Sequence, residues 1–523
     1  EGGQSREEQN REEIFFNEVL AQDEITQLLE PKVLTNAKRI DKDGEKLLEG
    51  FKRDAELNKK RGLPEDTITD NLIIKGNNLL ALHSLKEGFA GKVKLIYIDP
   101  PYNREAESFY NDSFKNSTWL TFMKNRLETA KKVLSDDGLF CIQIDDFQFG
   151  YLLPLCDEVF ERSNRVNIIA VKMSETSGVK MSHVDKRLPK TKEFILIYRK
   201  TTKSRLNPVK IQKADQLSKL NDYLKYYKKI ILNPEDPVER WEIVSIKEHL
   251  KNKGLNTDDE SIKVFQLENA ENVVYRTNNK SFEKLKIKEK LAKIESARGL
   301  EYIWWEGKQM LFLSDYIEEY LCDLWTDIST INLNKEGGVD LENGKKPEKL
   351  IKRILQLATK EGDIVMDYHL GSGTTAAVSM KMGRQFIGVE QLDYGNNDSV
   401  VRLENVVTGD MSGISRDTDV EWIGGGAFVY LELKKYNQTF IDQIQEAKDA
   451  KALLNIWEQM KAKSFLNYNV DIQEQEKHLE DFKADTLKNQ KQLLLKLLDL
   501  NQLYVNLSSL NDKDFACTVE EKA

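Results

Sequence analysis

The sequence predicts an α/β protein with a doubly wound, mostly parallel sheet, and three observations lead to this fold class. Strand patterns alternate with amphipathic helix patterns over residues 71–199. The alternation stops over residues 200–330, which are rich in lysine and asparagine, and it resumes over residues 331–435. Alternation of this kind is typical of parallel βαβ units with helices on both faces of the sheet. We therefore expect one α/β domain that is split by an inserted α+β domain.

The elements of the first half follow in chain order. "NLIIKGN" and "KVKLIYID" are predicted strands, and the helix "LLALHSLKE" separates them. The amphipathic stretch "STWLTFMKNRLETAKKVL" is a predicted helix with Ser117 or Thr118 as its N-cap. The strand "GLFCIQIDD", the helix "FGYLLPLCDEVFE" and the strand "EFILIYRK" complete this half.

The second half contains the helix "PEKLIKRILQLATK", the strand "DIVMDYHL", the helix "TTAAVSMKM" and the strand "RQFIGVEQ". Residues 1–70 are expected to form a helical extension of short helices joined by charged linkers. Residues 436–523 carry amphipathic helix patterns, and such apolar stripes pack either against the same chain or against a partner.

Composition indicates a globular protein with neither a membrane span nor a metal site. No apolar stretch approaches the ~18 residues that a membrane span requires, and the polar, acidic first residues do not resemble a secretory signal. The four cysteines form no C-x-x-C pair, and the five histidines are scattered. These patterns indicate ordinary thiols in a reducing cytoplasm.

The charge of the chain is unevenly distributed. The formal net charge is −9, yet the stretch from Lys172 to Lys229 contains sixteen Lys and Arg residues against five acids. Such a local excess fits a surface that binds the phosphates of nucleic acid, although a solvated lysine-rich surface explains it about equally well. Seven residues are candidates for contact with DNA: Lys180, Lys186, Arg187, Lys190, Arg199, Lys203 and Arg205.

A glycine turn follows the strand that ends at Asp367. Gly371 and Gly373 permit a close approach of the backbone to a ligand at a helix N-terminus. Glu390 ends the following strand, where an acid can accept the hydroxyls of a ribose. The turn therefore predicts a site for an adenosine-containing cofactor. It also satisfies the G-x-G-x-x-G/A pattern of NAD(P) and FAD enzymes, and a purely structural glycine turn is a third interpretation.

Another predicted strand of the same sheet ends in Asp99-Pro100-Pro101-Tyr102. The Asp99 carboxylate and the Pro100 carbonyl can each accept one hydrogen of an exocyclic amine and direct its lone pair at an incoming carbon. Tyr102 offers a face for stacking of the base, worth ~1–3 kcal/mol, and the prolines make the turn rigid. The methyl group of S-adenosylmethionine is an electrophile that needs no metal. The base must leave the duplex to reach this turn.

Together these motifs resemble the β class of DNA amino-methyltransferases, in which the catalytic motif precedes the cofactor motif. Longer stretches are similar to the modification (Mod) subunit of type III restriction–modification systems, among them "NLIIKGNNLLALHSL", "DLWTDISTINLNKEGG" and "DYHLGSGTTAAVSMKMGRQFIGVEQLDY". The resemblance covers residues 70–435. It implies the fold of S-adenosylmethionine-dependent methyltransferases, a target-recognition domain over residues 200–330, and methylation of adenine N6, because the catalytic motif begins with Asp.

The resemblance also implies roles for particular residues. Asp99, Pro100, Pro101 and Tyr102 would form the catalytic pocket. The cofactor site would comprise Asp367, His369, Gly371, Ser372, Gly373, Thr374, Glu390, Lys346 and Asn77, with Glu390 at the ribose and Lys346 near the cofactor carboxylate. Arg104-Glu105 departs from the small residues that many relatives have there, so turnover could differ.

The resemblance implies three kinds of partner: double-stranded DNA, a second copy of the chain and a helicase–nuclease (Res) subunit. Two alternatives to an adenine methyltransferase stay open at this point. The first is a DNA-specificity subunit that has lost catalysis, and the second is an NAD(P)- or FAD-dependent oxidoreductase.

Overall fold

The computed structural model describes residues 29–103, 116–174, 188–212, 222–277, 287–295, 301–331, 333–341, 344–435, 438–463, 482–483, 485–499, 506–509, 518 and 522. The chain divides into a large unit, Glu1–Asn207 with Asp323–Ala523, and a small unit, Pro208–Cys322. No helix within the described ranges is long and apolar enough to cross a bilayer.

The large unit contains an eleven-stranded sheet. Across the sheet its strands are β16 (Leu324–Trp325), β6 (Arg165–Lys172), β7 (Lys192–Arg199), β5 (Leu134–Ile144), β4 (Val93–Ile98), β17 (Ile364–Asp367), β18 (Gln385–Glu390), β3 (Leu72–Lys75), β19 (Ala427–Leu433), β1 (Leu34–Asp41) and β2 (Gly44–Leu47). Six neighbouring strands, from β5 to β19, run parallel. Strand β7 is antiparallel to both of its neighbours. The predicted α/β class with a mostly parallel sheet is confirmed.

Helices cover both faces of this sheet. The helices described in the large unit are α1 (Ala55–Arg61), α2 (Asn78–Phe89), α3 (Asn116–Val133), α4 (Phe149–Phe160), α8 (Glu348–Ala358), α9 (Thr374–Lys381), α10 (Ser399–Val407), α11 (Gln438–Glu446), α12 (Ala450–Lys463) and α13 (Leu487–Asp499). Side chains alternate along a strand, so one strand serves two cores. Ile74 packs with Leu82 and Leu127 in one apolar cluster, whereas Ile73 packs with Leu403 in another.

The N-terminal extension differs from its prediction. Short helices were expected throughout residues 1–70, but β1 and β2 form an antiparallel hairpin that pairs with β19 at one edge of the sheet. The helical prediction is therefore wrong for Leu34–Leu47, while α1 is a helix as expected. The hairpin carries charged side chains, typical of an edge strand. Strand β19, with which the hairpin pairs, lies far away in the sequence, so the local sequence pattern could not predict the hairpin.

The small unit is an α+β domain in its own right. Its antiparallel sheet contains β9 (Lys229–Ile231), β10 (Ile243–Ser245), β11 (Val273–Arg276), β12 (Leu291–Glu295), β13 (Glu301–Trp305) and β14 (Lys308–Phe312). Its helices are α5 (Ile246–Asn252), α6 (Asp259–Glu268) and α7 (Leu313–Ile317). A short ribbon of β8 (Lys210–Gln212) and β15 (Glu318–Tyr320) joins the two ends of the unit. These bounds fall inside the predicted insertion, residues 200–330.

The C-terminal amphipathic patterns are helices α11, α12 and α13. They share an apolar cluster that includes Ile444, Leu453, Trp457 and Leu494. Their apolar stripes therefore pack against one another.

Candidate active site

Both sequence motifs lie at the carboxyl edge of the parallel strands. Asp99 follows β4, Asp367 ends β17 and Glu390 ends β18. Strands β4 and β17 are adjacent, with Ile96 paired to Met366. The catalytic and glycine turns are therefore neighbours in space although they are distant in the sequence.

The two backbone carbonyls of the proline turn, those of Pro100 and Pro101, differ in their hydrogen bonding. The indole Nε1 of Trp119, a fully buried residue of α3, donates a hydrogen bond of 2.9 Å to the Pro101 carbonyl. Within the described part of the chain, no group donates to the Pro100 carbonyl. The Pro101 carbonyl thus anchors the turn.

A largely buried charge cluster surrounds Asp99. The Lys346 ammonium lies 2.9 Å from Asp99 Oδ2 and 3.4 Å from Glu193 Oε2. The Tyr102 hydroxyl is 2.7 Å from Asp99 Oδ1 and 2.8 Å from Glu193 Oε2. Gln143 Nε2 donates to the same Glu193 oxygen at 2.6 Å and accepts at its Oε1 from Tyr97. Four segments of the chain thus converge on two carboxylates.

The surroundings of the cluster shift the pKa values of its charged groups in different ways. Burial raises the pKa of Asp99, and the nearby Glu193 adds to the rise, although Lys346 opposes it. Burial also opposes ionisation of Glu193, but Lys346 and the hydrogen bonds from Gln143 and Tyr102 outweigh it and lower its pKa. Burial disfavours the Lys346 cation, yet Asp99 and Glu193 raise its pKa above the ordinary value. The same surroundings therefore shift the pKa values of the two carboxylates in opposite directions.

Glu193 and Gln143 were not among the predicted site residues. Glu193 entered the sequence reasoning only as one acid within a basic stretch. The available signal was an acid at the start of the buried strand "EFILIYRK". Its meaning depends on the antiparallel direction of β7, which places Phe194 beside Ile144 at the carboxyl edge of β5.

Asp367 is buried beneath the glycine turn. Its Oδ1 accepts from the His369 amide at 3.0 Å, and its Oδ2 accepts from the Thr375 hydroxyl at 2.6 Å. Burial raises the pKa of Asp367 to about 7, because it outweighs these hydrogen bonds, and Asp99 and Glu390 add to the rise. The carboxylate therefore supports the turn.

The two glycines of the turn have left-handed backbones but different surroundings. Gly371 has φ +54°, and a Cβ built there would meet nothing within 4 Å. Gly373 has φ +81°, and its Cβ would lie 2.9 Å from Ser399 Cβ. The Gly371 amide donates to Glu390 Oε2 at 2.8 Å. Gly371 thus faces open space, and Gly373 allows close packing against α10.

The other residues of the predicted cofactor set have structural partners. Asn77 Oδ1 caps helix α2 by accepting from the Leu79 amide. The Thr374 hydroxyl accepts from Arg402 at 2.7 Å, and Ser372 is buried. The pKa of His369 is lowered to about 3 by burial and by Arg126, so its ring is neutral. Lys346, expected near a cofactor carboxylate, contacts Asp99 and Glu193 instead.

The predicted DNA contacts do not share one surface. Lys180, Lys186, Arg187 and the Arg104-Glu105 pair lie outside the described residues. Lys190 precedes β7 at the carboxyl edge, where it pairs with Asp146 at 2.9 Å. Arg199 ends β7 at the opposite edge, and Lys203 and Arg205 line a cavity of about 330 Å³ there with Lys92 and Lys94.

Metal ligands do not cluster in the described residues: no three His, Cys, Asp or Glu side chains there could hold one ion.

Comparison with known proteins identifies the family of this chain. A family model described as DNA methylase matches residues 93–394, more than half of the chain. The chain is 41% identical to the probable type III restriction-modification enzyme HindVI Mod subunit of Haemophilus influenzae, over 97% of this chain and 72% of that protein. It is 28% identical to the EcoPI Mod subunit of Escherichia phage P1, over 64% of this chain and 59% of the relative. Among solved structures, PvuII DNA methyltransferase (cytosine-N4-specific) is 13% identical and covers 66% of this chain and 89% of its own, with a TM-score of 0.35.

Proposed function

Since this chain belongs to the DNA methylase family, and within it to the type III modification subunits, we propose that it methylates adenine N6 in double-stranded DNA. It is a DNA methyltransferase, and S-adenosylmethionine supplies the methyl group. The observation that supports this function best is the meeting of Asp99-Pro100-Pro101-Tyr102 and the Gly371 turn on adjacent strand ends.

The target amine is held by two acceptors at the proline turn. The Pro100 carbonyl accepts one hydrogen of the amine, and the Asp99 carboxylate accepts the other. These bonds draw the nitrogen lone pair out of the ring and direct it at the methyl carbon. The rigid turn, anchored through Pro101 and Trp119, maintains the alignment that displacement needs. A base within a duplex cannot reach this edge, so the adenine rotates out of the helix.

The residues around Gly371 fit an adenosyl cofactor. Open space lies where a Cβ at Gly371 would stand, so the backbone admits a ligand at close range. Glu390 accepts three backbone amides, those of Gly371, Gln391 and Leu392. A carboxylate has roughly four acceptor sites, so Oε2 can accept one ribose hydroxyl without displacing these bonds. Asp367 would hold the methionine part of the cofactor.

We assign the chain the role of modification and specificity subunit in a type III restriction–modification system of the bacterial cytoplasm. The small unit, Pro208–Cys322, would recognise the DNA sequence. A homodimer and a complex with a helicase–nuclease (Res) subunit follow from the same assignment, and both are tested by the mass of the purified assembly with and without that subunit.

The decisive experiment measures transfer of labelled methyl groups from S-adenosylmethionine to duplex DNA, followed by nucleoside analysis. We expect N6-methyladenine from the wild type. Asp99→Ala should lose transfer by at least roughly a hundredfold, since it removes one acceptor and the proton acceptor together, while cofactor affinity changes little. A product of N4-methylcytosine would overturn the adenine assignment, and full activity of Asp99→Ala would remove Asp99 from the mechanism.

The two alternatives have separate tests. Sequence-specific DNA binding without methyl transfer in any DNA would support a specificity subunit that has lost catalysis. Thermal stabilisation by NAD and not by S-adenosylmethionine would support an oxidoreductase, because a ligand stabilises the native state that binds it.

A further inference from the structure

The Tyr102 hydroxyl lies between two carboxylates but has one proton to donate. Asp99 Oδ1 and Glu193 Oε2 are 2.7 and 2.8 Å away. The hydroxyl cannot make a full hydrogen bond to both acceptors at once. Glu193 also receives the Gln143 amide, and it shares the Lys346 ammonium with Asp99. The way these donors are divided between Glu193 and Asp99 therefore determines how many hydrogen-bond acceptor sites Asp99 retains for a ligand.

Amine methylation sets a requirement for Asp99. When the nitrogen gains the methyl carbon, it has four bonds and a positive charge until one N–H bond breaks. The proton must pass to a base within hydrogen-bond distance. Asp99 already accepts the hydrogen of this amine in the proposed function, so its carboxylate forms the new O–H bond. Asp99 must then be ionised before transfer and basic enough to take the proton.

We propose that Glu193 is the positioning residue of Asp99: it accepts a hydrogen bond from the Tyr102 hydroxyl and shares the Lys346 ammonium, so that Asp99 keeps an oxygen for the amine. This inference rests on the proposed amine methylation. Glu193 itself does not touch the amine and stays ionised throughout. The proton of the methylated nitrogen goes to Asp99, and no other reactant is needed.

The charge on Glu193 has a second effect on Asp99. Like charges at short range disfavour joint ionisation, so Glu193 contributes to the raised pKa of Asp99. Among the described residues, the other titratable groups that act on this pair are Lys346, Tyr102, Tyr97 and Asp367. Without the Glu193 charge, Lys346 would pair with Asp99 alone, and the pKa of Asp99 would fall.

Glu193→Gln tests the inference because it removes the charge and keeps the size of the side chain. In single-turnover methyl transfer with saturating cofactor, we expect the rate to fall on the order of ten- to a hundredfold, less than the full contribution of a general base. Transfer needs ionised Asp99, so the wild-type rate falls as the pH drops through the pKa of Asp99. In Glu193→Gln this acid limb should move to lower pH, while cofactor and DNA affinities change by less than about threefold. A purely structural role would lower thermal stability and leave the limb in place.

Four further variants, including Tyr102→Phe alone, make the test complete. Glu158→Gln removes an exposed acid that pairs with Lys124 on the surface, and it should behave as the wild type. Glu193→Asp keeps the charge but shortens the side chain, so it should be several-fold slower with the acid limb in place, and it decides the matter if Glu193→Gln does not fold. In the double variant Tyr102→Phe/Glu193→Gln, the fold-loss in rate should be smaller than the product of the fold-losses of the two single variants, because both residues act on Asp99 together.

Specific outcomes would overturn the inference. They are a Glu193→Gln or Glu193→Asp rate within twofold of the wild type, an unmoved acid limb in Glu193→Gln, or multiplying losses in the double variant. If the wild type itself transfers no methyl group to DNA, the proposed function fails rather than the role of Glu193.

Discussion

Gly371 and Gly373 share a left-handed backbone, but we expect their alanine variants to fail for different reasons. Both changes carry the strain of a left-handed L-residue, about 1–2 kcal/mol. A Cβ at Gly373 would also collide with Ser399, whereas one at Gly371 would enter the open space proposed for the cofactor. Gly373→Ala should therefore unfold at a clearly lower urea concentration than Gly371→Ala. Gly371→Ala should show the larger loss of S-adenosylmethionine affinity relative to its loss of stability, measured by calorimetry. Equal effects of both changes on both quantities would contradict this division.

The ionisation of Asp367 makes the stability of the fold depend on pH, and the direction of this dependence follows from its pKa. The pKa of Asp367 is about 7 in the folded chain, because the site is buried, and about 3.9 in an unfolded chain. The folded state therefore favours the protonated carboxyl. This contribution is complete below about pH 4 and is lost as the pH rises through about 7. Without cofactor, the melting temperature of the wild type minus that of Asp367→Asn should fall between about pH 5 and about pH 8.

Asp137→Asn is the control for this measurement. Hydrogen bonds and ion pairing with Lys94 and Ser135 overcome partial burial and lower the pKa of Asp137. Its titration therefore lies below the pH window, and its melting-temperature difference from the wild type should be flat. A flat difference for Asp367→Asn as well would mean that Asp367 is ionised throughout the window.

At the scale of elements, one buried carboxylate joins three helices behind the cofactor turn. Glu348 opens α8 and lies 2.9 Å from the Lys381 ammonium of α9 and 2.8 Å from the Arg402 guanidinium of α10. All three side chains are fully buried, and Arg402 in turn bonds to the Thr374 hydroxyl. The cluster fixes the helix that follows the glycine turn, which explains why Thr374 faces the protein interior.

Glu348→Gln should therefore destabilise the fold strongly. It removes the carboxylate that pairs with the buried Arg402 and that shares the buried Lys381 with Asp410, and breaking a buried pair costs about 3–5 kcal/mol. Urea unfolding should show a large decrease of the midpoint with little change in slope. Glu158→Gln, which breaks an exposed pair, should cost less than about 1 kcal/mol. A comparable cost for the two variants would show that the buried cluster contributes no more than a surface pair.

The elements also show what sequence reasoning can and cannot reach. Alternation along the chain predicts that β4 and β17 end at one edge, because parallel strands repeat the same geometry. It does not predict that β7 runs antiparallel, since direction depends on which neighbours pair. This single reversal brings Glu193 to Asp99 and places Lys190 at the carboxyl edge and Arg199 at the opposite edge. The contacts of Lys346 could not be predicted either. They form only when the segments that carry Asp99, Glu193 and Lys346, which are distant in the sequence, meet in the fold.

At the scale of the whole molecule, the small unit is expected to determine which DNA sequence is methylated. Both ends of this unit lie side by side, because β8 pairs with β15 and Lys210 stands opposite Tyr320. A replacement of Pro208–Cys322 by another segment is therefore connected through two chain ends that lie next to each other. The large unit retains Asp99, Lys346, Glu193 and the glycine turn, which carry the proposed chemistry.

We expect a full-length chimera with the corresponding segment of a type III relative to methylate the site of that relative. Cofactor affinity should stay close to that of the parent, because the residues around Gly371 and Glu390 are unchanged. Mapping of N6-methyladenine in DNA from cells that express the parent or the chimera provides the measurement. A reciprocal chimera in the relative is the matched control, and it should acquire the specificity of this chain. If the chimera keeps the parental site, recognition lies in the large unit, and the excess of basic residues before Lys229 has another purpose.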